Sequence, residues 1–421
     1  MDNVTHALAG LLVAEAALSG VFPPGSARLA SFRRRAWFAS ALANNLPDFD
    51  FVYGNITEGR LGYLLHHRGH THTLVIGFAL GLLAYLGFAW FARRELQKPG
   101  APALDEATVR NERRLLLGLC LAGPAIHIGM DFSNNYGVHP FWPFSNDWFY
   151  GDSIFIIEPW FLVFTVPPLF FASRALWARA LFVLFLVAGV GLAWFFPLVG
   201  PGTAAVLTLG AAAWFAVTAR TRPERRGVQS LGGSLLVLLT FVVAGRAARA
   251  QVLAAGAGSG VTHLDAVLTP GPSNPLCWSA LTIATRGDRY ELKAATLSLA
   301  PSLLPPEQCR FEPSGRSLPP SVERTARTSA PGLRWELAWH APLAELRELA
   351  RSNCAVSAFL RYSRAPYFFE QAPGTLYLGD LRYDRAPEPE FTELEVPARP
   401  TACPRFIPPW RPPRHELLAP E

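Results

Sequence analysis

The sequence predicts an α-helical polytopic membrane bundle followed by a C-terminal soluble domain of α+β or β-rich type. Its 421 residues are 50% hydrophobic and only 17% charged, and soluble globular domains usually contain about 25% charged residues. Apolar runs that could cross a hydrocarbon core, which takes about 20 helical residues, are concentrated before residue 250. Beyond that point the chain is polar and rich in proline, so we expect a membrane half and a soluble half.

The apolar runs give six predicted membrane spans, preceded by two marginal segments at residues 4–21 and 36–46. The predicted spans are residues 74–92, 115–130, 154–172, 180–198, 203–219 and 231–244. We expect a helical membrane domain that carries the functional site over residues 1–172, additional transmembrane helices over 173–250, and an extracytoplasmic soluble domain over 251–421.

Arginine residues are concentrated in alternate loops between these segments, and basic residues near span ends favour the cytoplasmic side. The clusters lie within residues 28–35, 93–114, 174–179 and 220–226. The intervening loops and the tail after residue 250 are therefore predicted to be outside the cytoplasm. The loops also account for the net charge of +6. No stripe of basic residues with interleaved aromatic residues is present, so no nucleic-acid partner is predicted.

The tail alternates between strand-like stretches and turn residues. Segments 278–283, 290–299 and 375–378 are rich in Thr, Val, Leu and Tyr, and segment 343–351 has a helical pattern. Four of the five cysteines also lie there, at Cys277, Cys309, Cys354 and Cys403. An oxidising compartment would allow two disulfides, and four reduced thiols are the alternative. The pairing cannot be deduced from the sequence.

Histidine and aspartate residues are grouped in the first third of the chain. Seven of the ten histidines precede residue 140, and an ionisable group at membrane depth usually faces a cavity or a partner. His127 and Asp131 are four residues apart at the end of an apolar helix, a spacing that puts both side chains on one face, one turn apart. This arrangement suits a metal ion, although a hydrogen-bonded pair at a helix end would look the same.

Two further motifs add carboxylates and imidazoles. Asp48 and Asp50 follow Pro47, which ends any preceding helix, so both should project from a turn; an ordinary Asp-rich turn is the alternative. Residues 66–72 contain four histidines, and histidine tracts readily bind metal; solvated surface histidines next to the lipid headgroups are the alternative. Within that tract Arg68 could neutralise a phosphate or polarise a substrate oxygen.

His6 opens the first apolar segment, and Gly10 one turn later would allow close approach of another helix. A lone histidine there is usually a satisfied core residue. If residues 28–35 are cytoplasmic, however, His6, the Asp48 turn, the histidine tract and the His127 pair all come to the external ends of their segments. They can therefore share one site.

The motifs resemble those of the YdjM family of membrane-bound metal-dependent hydrolases, and they occur here in the family's order. They read Thr5-His6-Ala7-Leu8-Ala9-Gly10, Leu46-Pro47-Asp48-Phe49-Asp50, His67-Arg68-Gly69-His70-Thr71-His72 and His127-Ile128-Gly129-Met130-Asp131. The match covers about residues 1–170. Two tail segments, residues 362–367 and 378–383, resemble more loosely the tails of longer members.

The resemblance implies a metal site and a location in the bacterial inner membrane. The family is thought to be distantly similar to zinc-dependent phospholipase C and P1-type nucleases. By that similarity the metal ligands would be His6, Asp48, His67 or His72, His127 and Asp131. The ion would be zinc, with manganese or magnesium as alternatives. Because the chain lacks a later His-x-x-x-Glu motif, we expect one or two ions rather than three.

The resulting hypothesis is a metal-dependent hydrolase that acts on a phosphoester or lipid-linked ester through a metal-activated water. Asp50 would be the general base or would orient a ligating histidine, and Arg68 would steady an anionic substrate. The expected partners are the lipid bilayer and a lipid or phosphoester substrate. A metal-ion transporter or sensor is one alternative, and a non-catalytic membrane scaffold with a structural metal is another.

Overall fold

A computed structural model describes residues 2–22, 27–54, 56–57, 59–100, 103–256, 260–311, 321–372, 375–383, 392–397 and 402–419. Within these residues an N-terminal helical bundle is followed by two antiparallel sheets with short helices. The predicted fold class is therefore confirmed.

In the described part of the chain the bundle contains nine α-helices. They are α1 (Asn3–Val21), α2 (Ala27–Ala43), α3 (Gly59–His66), α4 (Leu74–Leu96), α5 (Glu106–Phe132), α6 (Pro159–Ala172), α7 (Leu176–Phe195), α8 (Pro201–Arg220) and α9 (Pro223–Ala255). Two 3-10 helices, Leu46–Val52 and His70–His72, lie between α2 and α4. Both carry motif residues, so two of the four motifs lie where the regular helices are interrupted.

Six of the described helices are long and apolar enough to cross a membrane, and five of them overlap predicted spans. The marginal first segment is a candidate span of 19 residues, helix α1. The prediction for residues 154–172 was wrong in its first part, because α6 begins only at Pro159 and has 14 residues. The carboxylate of Glu158 accepts a hydrogen bond from the Trp160 backbone N–H and caps the helix there.

Helix α1 packs closely against α2, α6 and α9. A Cβ atom on Gly10 would lie 2.7 Å from the Ser40 carbonyl oxygen, and the Ser40 hydroxyl donates a hydrogen bond to the Gly10 carbonyl, with an Oγ to O distance of 2.7 Å. Any side chain at this position would force the two helices apart. The expected close approach at Gly10 is confirmed.

Basic residues lie at one end of the bundle, opposite the end that holds the four motifs. Arg33 of α2 forms an ion pair with Glu15 of α1, with an Nε to Oε2 distance of 3.0 Å. The neighbouring pairs are Arg28–Glu112 and Arg35–Glu95. These pairs bring together the ends of α1, α2, α4 and α5 that are remote from the motifs, as expected from the alternation of the arginine clusters.

The tail forms two antiparallel sheets. The five-stranded sheet has the order β1-β2-β3-β5-β4 and the three-stranded sheet has the order β6-β7-β8. The strands are β1 (Thr262–Gly271), β2 (Asn274–Arg286), β3 (Arg289–Ser298), β4 (Glu323–Ala330), β5 (Leu333–Pro342), β6 (Pro366–Ala372), β7 (Thr375–Asp380) and β8 (Leu394–Pro397). Three short helices accompany them: α10 (Leu343–Ser352), α11 (Cys354–Phe359) and α12 (His415–Leu418).

The sequence predicted part of this tail. The three expected strand segments lie in β2, β3 and β7, and the expected helical segment lies in α10. The four tail cysteines form two disulfides, Cys277–Cys309 and Cys354–Cys403. The pairing that the sequence left open is therefore sequential along the chain.

The tail packs on the motif-bearing end of the bundle, and the two parts share one hydrophobic core. That core contains Leu61, Leu64 and Leu65 of α3 together with residues of both sheets. Trp410 is buried in it, donates a hydrogen bond from Nε1 to the Leu65 carbonyl at 2.9 Å, and stacks on the ring of His139 with centroids 3.8 Å apart. The tail therefore covers the loops that carry the motifs.

A buried ion network, which we call the arginine cluster, joins the two parts as well. It consists of Arg364, Asp152 and Asp265, and Asp265 also forms ion pairs with Arg249 and Arg414. The two Nη atoms of Arg364 each lie 2.8 Å from a carboxylate oxygen of Asp152, and its Nε lies 2.7 Å from Asp265 Oδ2. Asp152 precedes α6 and Asp265 lies on β1, so this guanidinium connects three separate segments.

The two tail motifs also meet at Asp380. Its Oδ2 accepts hydrogen bonds from the Ser363 hydroxyl and the Arg364 backbone N–H, both at 2.9 Å, and it forms an ion pair with Arg382 at 2.8 Å. Arg382 in turn donates from Nη1 to the Asn135 carbonyl at 2.8 Å. The tail motifs therefore fix the loop that follows α5.

Candidate metal centre

Four of the predicted site residues converge at the covered end of the bundle: Asp48, His72, His127 and Asp131. We call them the metal group. Each offers one ligand atom, and these atoms all lie within 4.8 Å of one another. Asp48 comes from the first 3-10 helix, His72 from the second, and the other two from α5. Among the described residues this is the one such cluster of histidine, cysteine, aspartate or glutamate side chains.

The ligand atoms of the metal group are spaced as those around a small cation would be. The Nε2 atoms of His72 and His127 face each other at 3.1 Å. Asp48 Oδ1 lies 3.4 Å from each of them, and Asp131 Oδ2 lies 3.3 and 3.5 Å from them. Ligand atoms at the corners of a tetrahedron around Zn²⁺ would be about 3.3–3.6 Å apart. The donor set and its spacing therefore fit a divalent metal such as zinc.

Local sequence features create this convergence. Pro47 occupies the first turn of the 3-10 helix Leu46–Val52 and fixes the turn that projects Asp48. His127 and Asp131 are one turn apart on α5. His72 ends the second 3-10 helix immediately before Thr73, whose hydroxyl accepts from the Ile76 backbone N–H at 3.2 Å and caps α4.

Hydrogen bonds orient both imidazoles of the metal group. His127 Nδ1 donates to the Asn44 carbonyl at 2.6 Å, which leaves the lone pair of Nε2 directed at the other ligand atoms. His72 Nδ1 lies 3.3 Å from the Thr71 hydroxyl and 3.6 Å from Asp50 Oδ2. Such partners fix the tautomer and ring orientation of metal-binding histidines.

Asp48 shows the clearest sign of a missing positive charge. Its Oδ2 atom is buried and has no hydrogen-bond partner in the described part of the chain, which is costly for a carboxylate oxygen. Burial alone would raise the pKa of Asp48, but hydrogen bonds and charges from His127 and His72 hold that pKa well below its usual range. An ionised carboxylate that faces two imidazoles and has one oxygen without a partner among the described residues is a suitable cation ligand.

Two predicted ligands lie next to the metal group but outside it. His6 is fully buried, with Nε2 3.2 Å from Asp131 Oδ1 and its ring stacked on His127, the centroids being 3.7 Å apart. His67 is partly exposed, and its Nδ1 lies 3.2 Å from Asp50 Oδ2. Each of these histidines therefore contacts a carboxylate beside the four converging ligand atoms.

The two predicted catalytic residues lie on the same side of the metal group. Asp50 Oδ2 accepts from the Arg68 backbone N–H at 2.8 Å. The Arg68 side chain is buried, with Nε 2.9 Å from Asp131 Oδ2 and Nη1 2.8 Å from Asn134 Oδ1. Its φ of 57° is unusual for a residue with a side chain, and such backbone strain is concentrated at functional sites. Arg68 thus directs a fixed positive charge toward a metal-group carboxylate.

The remaining histidines near the site have structural contacts. His66 Nε2 lies 3.0 Å from the Thr57 hydroxyl. His70 and His139 both pack against the Trp410 ring. Burial lowers the pKa of His139 to about 3 and also lowers that of His70, so both are neutral at physiological pH. They form part of the cover over the site.

Asn44 and Asn134 contribute to the site although the sequence analysis did not identify them. Asn44 supplies the carbonyl that orients His127, and Asn134 supplies the amide oxygen that binds Arg68. Asn44 lies four residues before Asp48, and Asn134 lies three residues after Asp131. Buried asparagines so close to metal-binding motifs were the available signal.

Comparison with known proteins identifies the N-terminal part of the chain. The family model described as YdjM inner membrane protein matches residues 1–199. No curated protein and no solved structure matches the chain. The matched residues include all four motifs and the whole metal group, and the candidate spans agree with a multi-pass inner membrane protein. The resemblance inferred from the motifs is thereby confirmed: residues 1–199 match the model of the YdjM inner membrane protein family.

Proposed function

We propose that the protein is a membrane-bound metal-dependent hydrolase whose ion is held by Asp48, His72, His127 and Asp131. The observation that carries this proposal is the 3.1–3.5 Å spacing of ligand atoms from two histidines and two aspartates. Two imidazoles and two carboxylates suit zinc, and manganese would accept the same ligands. The substrate would be a phosphoester or a lipid-linked ester.

A bound divalent cation supplies Lewis-acid chemistry, since it polarises an ester oxygen and activates water. The side chains around it would perform the other tasks. Asp50, which contacts both His67 and the Arg68 backbone, is placed to orient His72 and to accept a proton from water. Arg68 would bind the anionic part of the substrate. In the reaction, the hydroxyl of water bonds to the phosphoryl or acyl centre and the departing alcohol takes the proton.

His6 and His67 would support the ion indirectly. His6 contacts Asp131 Oδ1 and would hold that carboxylate so that Oδ2 faces the metal. His67 would hold Asp50 in the same way. The hydrogen-bond partners of metal ligands typically affect metal affinity 10-fold to 100-fold, so both residues would matter for binding without being ligands themselves.

We also propose that the site and the tail face the extracytoplasmic side of the inner membrane. The arginine-rich ends of the helices lie opposite the metal group, and basic loops favour the cytoplasm. The two tail disulfides support the same orientation, because disulfides persist in oxidising compartments. Residues 251–421 would then be an extracytoplasmic domain that covers the site.

Metal content and turnover, measured on the same samples, test this function. The wild type and a His127→Ala, Asp131→Ala double variant would be purified in detergent and analysed by elemental mass spectrometry, and hydrolysis of bis(4-nitrophenyl) phosphate would be followed. We expect near-stoichiometric metal and activity in the wild type, and neither in the double variant. A matched control, Asp147→Ala with His415→Ala, removes one exposed aspartate and one exposed histidine and should retain both properties.

The alternatives give different results in this experiment or in a transport assay with the protein in vesicles. Retained metal without turnover of any ester would indicate a structural ion in a membrane scaffold. Metal-dependent uptake into vesicles would indicate a transporter, but transporters place ionisable residues near the middle of several spans. The metal group instead lies at one end of the bundle, which favours the hydrolase.

A further inference from the structure

A cavity of about 440 Å³ lies beside the metal group, between the bundle and the tail. Ligand-binding pockets usually have volumes of about 300–1,000 Å³. The bundle contributes Tyr63, His67 and Arg68 to its wall, and the tail contributes Phe311 and Tyr383. Neither part of the chain encloses the cavity alone.

The inner end of this cavity is polar and positively charged. Arg68 lines the cavity, and its Nε atom lies 2.9 Å from Asp131 Oδ2 of the metal group. The Arg68 side chain therefore connects the cavity to the metal group. Asn134, which accepts a hydrogen bond from Arg68, lines the cavity as well. A phosphate held there would have a guanidinium on one side and the metal position beyond it.

Another part of the cavity wall is apolar and lies near the end of a candidate membrane span. Ile154, Ile156 and Leu198 line it. Leu198 lies in the turn between the candidate spans α7 and α8. Next to it Phe195, the last residue of α7, is 85% exposed, and Ile156 is 49% exposed. Exposed apolar residues at the end of a candidate span would face lipid, so an apolar group that leaves the cavity here would reach the bilayer surface.

We propose that this cavity is the substrate site and that it takes a phosphate-bearing amphiphile from the membrane. The phosphate would lie against Arg68, and the apolar chain would leave past Ile156 and Leu198 toward the lipid. This inference rests on the proposed hydrolase function and adds the substrate class to it. It also gives the tail a task, because Phe311 and Tyr383 complete the wall of the cavity.

Chain-length dependence of binding tests this proposal. The full-length protein would be loaded with zinc in nanodiscs and titrated with inorganic phosphate, ethyl phosphate and hexyl phosphate, with empty nanodiscs as the reference for partitioning into lipid. Each fully buried methylene strengthens binding about fourfold. We expect hexyl phosphate to bind at least tenfold more tightly than ethyl phosphate. Equal affinities for all three ligands would show that the site recognises phosphate alone and would overturn the proposal.

Substitutions of Ile156 and Leu198, the rim of the cavity, test where the alkyl chain of the ligand binds. In Ile156→Asn we expect the ratio between hexyl and ethyl phosphate to fall below threefold, with Leu198→Asn as a second rim variant. Phe144→Asn is the matched control, because Phe144 is 87% exposed and does not line the cavity; it should keep the tenfold ratio. If both rim variants kept a tenfold preference for hexyl phosphate over ethyl phosphate, the alkyl chain would bind elsewhere. The proposed path past Ile156 and Leu198 would then be refuted. The comparison of ligands in the wild type remains decisive if a variant does not fold.

Turnover of bis(4-nitrophenyl) phosphate in the same samples separates the two claims. Chain-length-dependent binding without turnover would refute the hydrolase and leave an amphiphile-binding site. Turnover without chain-length dependence would support the hydrolase and refute a membrane-derived substrate.

Discussion

The metal group and the arginine cluster both bury two aspartates, but they surround them differently. In the arginine cluster one guanidinium contacts both carboxylates of Asp152 and Asp265 at 2.7–2.8 Å. In the metal group two imidazole nitrogens face each other at 3.1 Å, and an oxygen of Asp48 has no partner among the described residues. The guanidinium already neutralises the carboxylates of the arginine cluster, whereas the metal group has a donor set that could hold a cation. We therefore expect substitutions in the first to affect stability and substitutions in the second to affect metal binding.

The largest effect that would test this difference is on stability, in the variant Arg364→Met. Removing one partner of a buried ion pair leaves an uncompensated charge and destabilises a protein by about 3–5 kcal/mol. We expect a loss of that size in thermal unfolding of the detergent-purified protein, with metal binding retained in the folded fraction. As a control, Arg334→Met removes a partly exposed pair with Glu336 and should lose less than about 1 kcal/mol. Similar losses of stability in Arg364→Met and Arg334→Met would contradict the stabilising role given to the arginine cluster.

The next effect is the stabilisation that metal provides. A ligand that binds only the folded state stabilises it by about 2.7 kcal/mol at a free concentration 100 times its Kd. We expect zinc to raise the unfolding free energy of the wild type and of Arg364→Met by this amount, and to leave the His127→Ala, Asp131→Ala variant unchanged. An equal response in the double variant would mean that zinc binds elsewhere.

A smaller effect is expected from Asp50→Asn, which removes a charge beside His72 but no member of the metal group. Such partners of ligands typically contribute 10-fold to 100-fold to metal affinity. We expect zinc competition titrations to show a loss within that range and the same stoichiometry. Asp147→Asn, which alters an exposed pair with Arg411, should show no change. Loss of all metal in Asp50→Asn would indicate that Asp50 is itself a metal ligand.

Acid should weaken the arginine cluster gradually. Burial raises the pKa of Asp265, but the charges of Arg364 and Arg414 lower it by a larger amount. The pKa of Asp265 therefore lies below its ordinary value. The resulting stability is present above about pH 4 and is lost as the pH falls toward the folded-state pKa, by at most about 1.4 kcal/mol per pH unit for each proton bound. Measured in the metal-free double variant, this slope should be smaller after Asp265→Asn. An unchanged slope would mean that other groups control acid unfolding.

The sequence was sufficient to predict the parts of the site that depend on local spacing. His127 and Asp131 share a helix face because they are four residues apart, and Asp48 projects from a turn because Pro47 precedes it. The choice between His67 and His72 depends on the left-handed backbone at Arg68 and on the 3-10 turn after it. Neither has a clear sequence signal, because arginine rarely adopts that conformation.

The fold was predicted where hydrophobic length or strand composition was strong. The start of α6 was missed because residues 154–158 are apolar enough to continue a helix, yet they form a loop that ends at the cap of Glu158. The arginine cluster was missed for another reason: its three members are up to 212 residues apart in the chain. Contacts of that range arise from tertiary packing, which local patterns do not record.

The position of Trp410 has a consequence for the order in which the protein is made. The carbonyl that this indole binds belongs to Leu65, 345 residues earlier in the chain, and the indole also covers His139 and His70. While the ribosome adds the intervening residues, the histidine loop has only the cover that earlier residues such as Trp142 and Trp148 provide. The cover can therefore be completed only near the end of synthesis. Synthesis that stops before residue 410 would give a bundle that contains all the metal-group residues but lacks the Trp410 part of this cover.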